Sequence, residues 1–406
     1  MKSANERSLL KANIWKYYLF NFLNEFTLFL PFIIYYFQQK GFSLGQIAVL
    51  QSITAITVFI FEIPSGYIAD RIGRKNSILI SMAFQLAGVI ILYSASSYPL
   101  LAVAYLLNGL SWAFVSGADS ALLYDTLLFL RKEKEYKKIE GKAKFFGEIA
   151  IVASAVIGSL IVVFGIRQTI LYTMIGYALA LFLAMSLKEP PREESGKREL
   201  QRLGAADLLS IIRKSLRNKK LLGLFSYSFI VLGVSSLIFI TYQPYFKATG
   251  LPLRYYGYVF AAFSIMAAAT SLKAHIIEER VGVRWSLVLM PLLLAASLIG
   301  GSIIFAQLGF MIFFLRELVR GYVFPVIGDY TNKLTSSRER ATVLSIGSMF
   351  SRAGFVIISI IFGFLSDSQG LRNTLLCSGF IMIFFTIIVL LLIRKNDRQA
   401  KYEPQA

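Results

Sequence analysis

Arg316, Glu317 and Arg320 stand within little more than one helical turn, inside an otherwise apolar run. Two guanidinium groups and one carboxylate leave a positive excess, and a guanidinium fork suits a carboxylate or phosphate held bidentately. Arg352 recurs at a comparable depth in the next apolar run. Glu25 lies ten residues past Trp15, about 15 Å along a helix, which is half of a hydrocarbon layer about 30 Å thick. An ionisable group at that depth is costly and serves a pathway or a pairing, so Glu25 can carry a proton or face an arginine.

Other polar residues recur at helical spacing. Tyr17, Asn21, Asn24 and Glu25 form one stripe, and Tyr105, Asn108 and Trp112 a second. Tyr227, Ser235, Tyr242 and Tyr245 form a third, beside Gln243 and the kink-prone Pro244. Aromatic, amide and hydroxyl groups of this kind suit an amphipathic organic solute. The expected substrate contacts are Asn21, Glu25, Tyr105, Asn108, Trp112, Tyr227, Tyr242, Gln243, Arg316, Glu317, Arg320 and Arg352. Glu25, Glu62 and Glu148 are the candidate proton carriers. A structural salt-bridge network that fixes helix packing is the alternative for the charges around Glu317.

The elements that must hold these groups follow from composition. Of 406 residues, 56% are hydrophobic and 16% charged, outside the range of soluble globular chains. A spanning helix needs about 20 apolar residues. Twelve such runs occur, at 15–37, 45–69, 76–95, 99–128, 143–165, 169–187, 221–246, 255–275, 285–306, 309–332, 341–366 and 371–393. The first is too long for a signal peptide's apolar region and lacks a small-residue cleavage site, so no removal is expected.

The formal charge of +19 could point to nucleic acid, but the basic residues sort by side of a membrane. With the N-terminus inside, outer loops hold Lys40, Arg167, Lys247, Arg254 and Arg372, and spans hold Lys273, Arg316, Arg320 and Arg352. The rest of the 42 Lys and Arg fall in cytoplasmic segments, which places both termini in the cytoplasm. Cys377 and His275 are the sole Cys and His, and no Walker glycine-lysine loop can be written. Disulfides, multi-histidine zinc sites and ATP-driven work are therefore not expected, and neither are a cofactor, a metal, a nucleic-acid partner or an enzymatic activity.

The longest polar interruption, 188–220, divides six spans from six. The expected domains are an N-terminal six-helix bundle 1–187, a cytoplasmic linker 188–220, a C-terminal six-helix bundle 221–393 and a cytoplasmic tail 394–406. Within the linker, 188–197 reads as a flexible loop. Residues 206–216 read as an amphipathic basic helix that lies on the inner leaflet or cradles the two halves. The halves echo each other: Asp70-Arg71-Ile72-Gly73 recurs as Glu279-Arg280-Val281-Gly282, 209 residues on.

The stretch from Gly66 to Lys75 resembles the loop between the second and third helices of the major facilitator superfamily, with Asp70, Arg71, Gly73, Arg74 and Lys75 in the pattern's positions. The resemblance implies an all-α integral membrane fold of twelve transmembrane helices in two pseudo-symmetric bundles, working by alternating access. It implies a gating role for Gly66, Asp70, Arg71, Gly73, Arg74 and Lys75 and for the echo Glu279, Arg280 and Gly282. Asp70 would meet the start of the eleventh helix near Arg340 to Thr342, and Glu279 the start of the fifth. Gly66 is expected to allow a close approach and Gly73 a tight turn, while Asp119 and Asp329 near the cytoplasmic ends of their spans are expected beside the gate. Ordinary surface ion pairs are the alternative for the loop.

Proton-linked efflux permeases are the nearest likeness within that superfamily. The fifth span lacks their glycine-proline pattern, and Asn108 stands where an arginine is common. The expected function is proton-coupled efflux of a small organic solute across the cytoplasmic membrane. The alternative is a symporter or facilitator that imports an anionic or zwitterionic solute. Expected partners are that solute, protons and the bilayer, with the chain acting as a monomer.

Overall fold

A computed structural model describes residues 4–191, 205–336 and 339–402, and no strand occurs among them. Hydrocarbon offers no water to backbone N–H and C=O groups, so a chain this apolar satisfies them within helices. In order these are α1 (Ala4–Glu25), α2 (Ile33–Gln39), α3 (Leu44–Ile72), α4 (Arg74–Ser94), α5 (Tyr98–Val115), α6 (Ala118–Leu130), α7 (Tyr136–Ile161) and α8 (Ile166–Met185). There follow α9 (Ala205–Arg217), α10 (Lys219–Ser236), α11 (Ile238–Ala248), α12 (Tyr256–Leu272), α13 (Ala274–Ile303), α14 (Phe314–Lys333), α15 (Arg340–Gln369) and α16 (Leu371–Tyr402).

Among the described residues, 11 stretches are long and apolar enough to cross a membrane. The remaining expected span, 309–332, consists of a 3-10 segment Gln307–Phe313 and α14, whose Arg316, Glu317, Arg320 and Asp329 lower its apolar content. Large apolar side chains cover the outside: Ile63 and Phe164 are each 82% exposed. Such a surface would aggregate in water and matches lipid.

Three expected continuous spans are broken. The first stops at Glu25 and resumes through the 3-10 turn Leu30–Phe32 and α2; Pro31 has no N–H to bond Thr27 O and its ring crowds that carbonyl. The fourth breaks at Gly117, which is left-handed at φ 77°, and the seventh at Leu237. The last helix runs on through the expected tail to Tyr402. In the linker, α9 forms where the amphipathic helix was expected, while 192–197 of the expected loop lie outside the described residues.

The echo is structural as well as sequential. Gly73 and Gly282 both leave helical geometry, at φ 108° and 76°, and Gly41 and Gly250, also 209 residues apart, share φ of 86° and 75°. A chance string match would not reproduce left-handed glycines at the same offset.

By contacts the chain forms two units. Unit 1 is Met1–Tyr36, Val49–Ala205 and Leu253–Ala262; unit 2 is Phe37–Ala48, Ala206–Pro252 and Phe263–Ala406. In unit 1, α4 runs along α5 and α8, and α1 along α7, over a core that includes Phe20, Ile78, Met82, Leu122 and Leu187. In unit 2, α13 runs along α16 and α10 along α15. The boundary between units falls inside the expected linker, and two short segments, 37–48 and 253–262, cluster with the opposite half.

Candidate functional site

In unit 1 the break after Glu25 exposes backbone groups that must find partners away from water. Leu28 N donates to Thr173 Oγ1 at 3.0 Å, and Thr27 Oγ1 lies 2.7 Å from the Tyr177 hydroxyl. α7 closes on the broken segment at glycine, since a Cβ at Gly158 would lie 2.5 Å from Leu28 O. Glu25 thus sits at the end of α1, held by chain geometry, with Asn24 Nδ2 donating to its Oε1 at 3.4 Å. Its Cγ would be 3.3 Å from a Cβ at Gly147, next to Glu148.

Farther along the same helices, Tyr17 donates its hydroxyl to Glu140 Oε2 at 2.8 Å, with Asp119 Oδ2 at 3.5 Å. Lys144 Nζ approaches Glu140 Oε1 at 3.8 Å. The result is an acidic patch of α1, α6 and α7 in which one lysine faces several carboxylates. Glu140 was absent from the sequence-based candidates, although Glu140, Lys144, Gly147 and Glu148 fall at helical spacing on one face of α7.

The other unit 1 candidates separate. Asn21 spends its Nδ2 on Tyr17 O, and Asn108 donates to Gln85 Oε1 at 3.0 Å. The Tyr105 carbonyl accepts from Thr54 Oγ1 at 2.8 Å, and Trp112 is exposed. Glu62 and Glu148 are exposed.

Unit 2 holds the basic counterpart. Arg316 is 0% exposed, and its Nε, Nη1 and Nη2 have no hydrogen-bond partner. Its guanidinium carbon stands 5.2 Å from the centre of the Phe313 ring, a cation–π contact that cannot satisfy the five N–H donors. Glu317, equally buried, gives Oε2 to Arg320 Nε at 2.6 Å and leaves Oε1 unpartnered. Arg352, on α15, is half-buried and makes no ion pair among the described residues.

The tyrosines expected on the seventh span are packed away. Tyr227 donates to Leu287 O at 2.9 Å, and Gln243 donates to the Tyr242 hydroxyl at 2.9 Å, with Tyr242 and Gln243 each 1% exposed.

The glycine-bracketed loop is built differently from the expectation at two points. Gly66 meets nothing within 4 Å of an added Cβ, so no close approach explains it. The tight turn at Gly73 is present, and beyond it Glu189 accepts the amides of Arg74 and Lys75 at 3.0 and 2.7 Å. That carboxylate caps the positive end of α4, a partner no local spacing announces. Arg74 pairs with Asp125 at 2.9 Å, Arg71 lies over Tyr67, and Asp70 is exposed on the last turn of α3.

In the echo, Glu278 accepts from the Tyr330 hydroxyl at 3.0 Å, whereas Glu279 and Arg280 are exposed and Gly282 makes the turn. Asp119 Oδ1 accepts the Ser120 amide at 2.6 Å in the first turn of α6. Asp329 pairs with Lys333 at 2.5 Å.

The chain matches the family model described as Major Facilitator Superfamily over residues 15–252 and again over 223–406. It is 24% identical over 386 residues to an uncharacterized MFS-type transporter, YxaM, of Bacillus subtilis (strain 168), covering 93% of this chain and 95% of that one. A melibiose permease of Enterobacter cloacae subsp. cloacae is 24% identical over 400 residues, covering 93% and 91%. The crystal structure of the nucleoside transporter NupG superposes with a TM-score of 0.75 at 14% identity, covering 96% of this chain and 99% of that one.

Proposed function

The chain belongs to the Major Facilitator Superfamily, and from that membership we propose that it is a proton-coupled secondary transporter whose solute carries a carboxylate or phosphate group. Arg316 carries this reading: a guanidinium with no exposure and no hydrogen-bond partner. An uncompensated buried charge costs about 3–5 kcal/mol, and an anionic group on the solute removes that cost whenever it is bound. The Glu317 carboxylate bonds Arg320 and its charge also reaches Arg316, so one carboxylate serves two guanidinium groups and a positive excess remains on α14; Arg352 is proposed as a further anion contact. The cargoes named for two similar proteins, melibiose and nucleoside, support a small polar organic solute.

Glu25 is the proposed proton carrier, because it ends a broken helix among Asn21, Asn24 and α7. Asp70, Arg71, Gly73, Arg74 and Lys75 with their echo serve as the gate of an alternating-access cycle. The distribution of Lys and Arg supports a plasma-membrane orientation with both termini in the cytoplasm. Outward transport is the second reading, favoured by the likeness of the Gly66–Lys75 loop to proton-linked efflux permeases.

Proteoliposomes with an imposed pH gradient test both readings, using labelled organic anions, neutral sugars and organic cations. Anions alone should accumulate, and only with the gradient; the gradient's sign gives the direction. Gradient-independent flux removes the proton coupling. Transport confined to neutral or cationic solutes removes the role of Arg316.

A further inference from the structure

Helix α9 presents three faces, and its place in the chain decides what each meets. Ile211 and Ser215, a turn apart, are buried at 7% and 3% exposure. About 100° around the helix, Ile212 and Leu216 form an apolar face left exposed. On the remaining side Ser210, Arg213, Lys214 and Arg217, together with Asn218, line an open surface cavity of about 470 Å³.

Asn218 fixes the level of this cavity. Its Oδ1 accepts the amides of Lys220 and Leu221 at 3.0 and 3.3 Å, so α10 starts where α9 stops. The stretch Lys219–Ala248 is long and apolar enough to cross a membrane. The basic face of α9 therefore lies at a membrane surface, one residue from where the chain enters it.

Lys214 is paired with Glu339 at 2.7 Å. Arg213 and Arg217 make no ion pair or side-chain hydrogen bond among the described residues. They stand one helical turn apart, about 6 Å along the axis, a spacing that lets two guanidinium groups share one phosphate. The exposed Ile212 and Leu216 beside them would contribute nothing to holding a free phosphate, whereas they suit an acyl chain.

We propose that this cavity binds the headgroup phosphate of an anionic phospholipid, with Arg213 and Arg217 on its oxygens and Ile212 and Leu216 against the acyl region. The site is separate from the buried charges of α14 and does not depend on the solute assigned to them.

Native mass spectrometry of the purified full-length chain, with phosphatidylglycerol or phosphatidylcholine added in detergent, tests the proposal. Wild type should retain phosphatidylglycerol preferentially. The Arg213→Gln/Arg217→Gln variant should lose about 25-fold in that retention, from about fivefold for each basic residue near an anionic surface. A Lys137→Gln/Lys138→Gln variant, equal in charge change, should retain wild-type binding. Equal retention by both double variants, equal loss in both, or displacement of the lipid by millimolar inorganic phosphate would overturn the assignment.

Discussion

Leu44 donates its backbone amide to Asp367 Oδ1 at 2.8 Å, joining helices whose residues lie 323 positions apart in sequence. Gly45 N goes to the other oxygen of the same carboxylate, also at 2.8 Å. Ser43 and Gln46 meanwhile exchange side-chain and backbone hydrogen bonds in a capping box. The opening N–H groups of α3, orphaned by helix geometry, are thus divided between a local device and one carboxylate of α15.

Asp367→Ala leaves two amides without their acceptor and should lower stability by about 1–3 kcal/mol, read as a fall in melting temperature of the detergent-solubilised protein. Asp367→Asn keeps one acceptor and should fall between. A melting temperature unchanged in the alanine variant would mean that the capping box alone sustains α3.

Arg316→Met should leave the protein as stable as wild type or more so, because an apolar side chain of similar volume replaces a buried guanidinium that makes no hydrogen bond. Anionic solute binding should be lost in the same variant. Glu317→Gln removes the partner of Arg320 and should destabilise by about 3–5 kcal/mol. A purely structural charge network would give the reverse for Arg316→Met, with stability lost alongside binding.

Glu25→Gln is expected to abolish accumulation driven by a pH gradient while sparing solute counterflow, which needs no net proton movement. Uptake and counterflow in the same proteoliposomes separate the two. Wild-type gradient-driven accumulation in the variant would transfer the proton role to another carboxylate of the patch, Glu140 first.

Gly73→Ala should destabilise by about 1–2 kcal/mol, because φ of 108° is strained for any side chain and the Cβ would lie 3.3 Å from Glu189 Oε1. Gly66→Ala, helical and facing open space, should stabilise by about 0.5–1 kcal/mol. Opposite signs in thermal melts would confirm that the two glycines bracket the loop for different reasons.

Much of the architecture was legible in the sequence because the bilayer imposes a one-dimensional rule. Any stretch that crosses hydrocarbon must be apolar for about 20 residues and helical throughout or broken where its backbone finds partners. That rule yields the spans, and the glycine echo at a fixed offset yields the repeat. The broken spans at Pro31 and Gly117 carried a signal in the proline and the glycine themselves. The break at Leu237 carried none, since no glycine or proline stands at that position.

From the amino-acid order alone come a helical membrane chain of two related halves and the placing of Glu25, Arg316, Glu317, Arg320 and Arg352 inside its apolar runs. Apolar length and internal offset are properties of a string. Which charged groups find hydrogen-bond partners depends on the folded chain: Glu317 bonds Arg320, Glu140 accepts from Tyr17, Glu189 and Asp367 cap distant helices, and Arg316 makes no hydrogen bond and stacks on Phe313. Pairing depends on distances between side chains far apart in sequence, and a hydrogen bond is made or lost within a few tenths of an ångström.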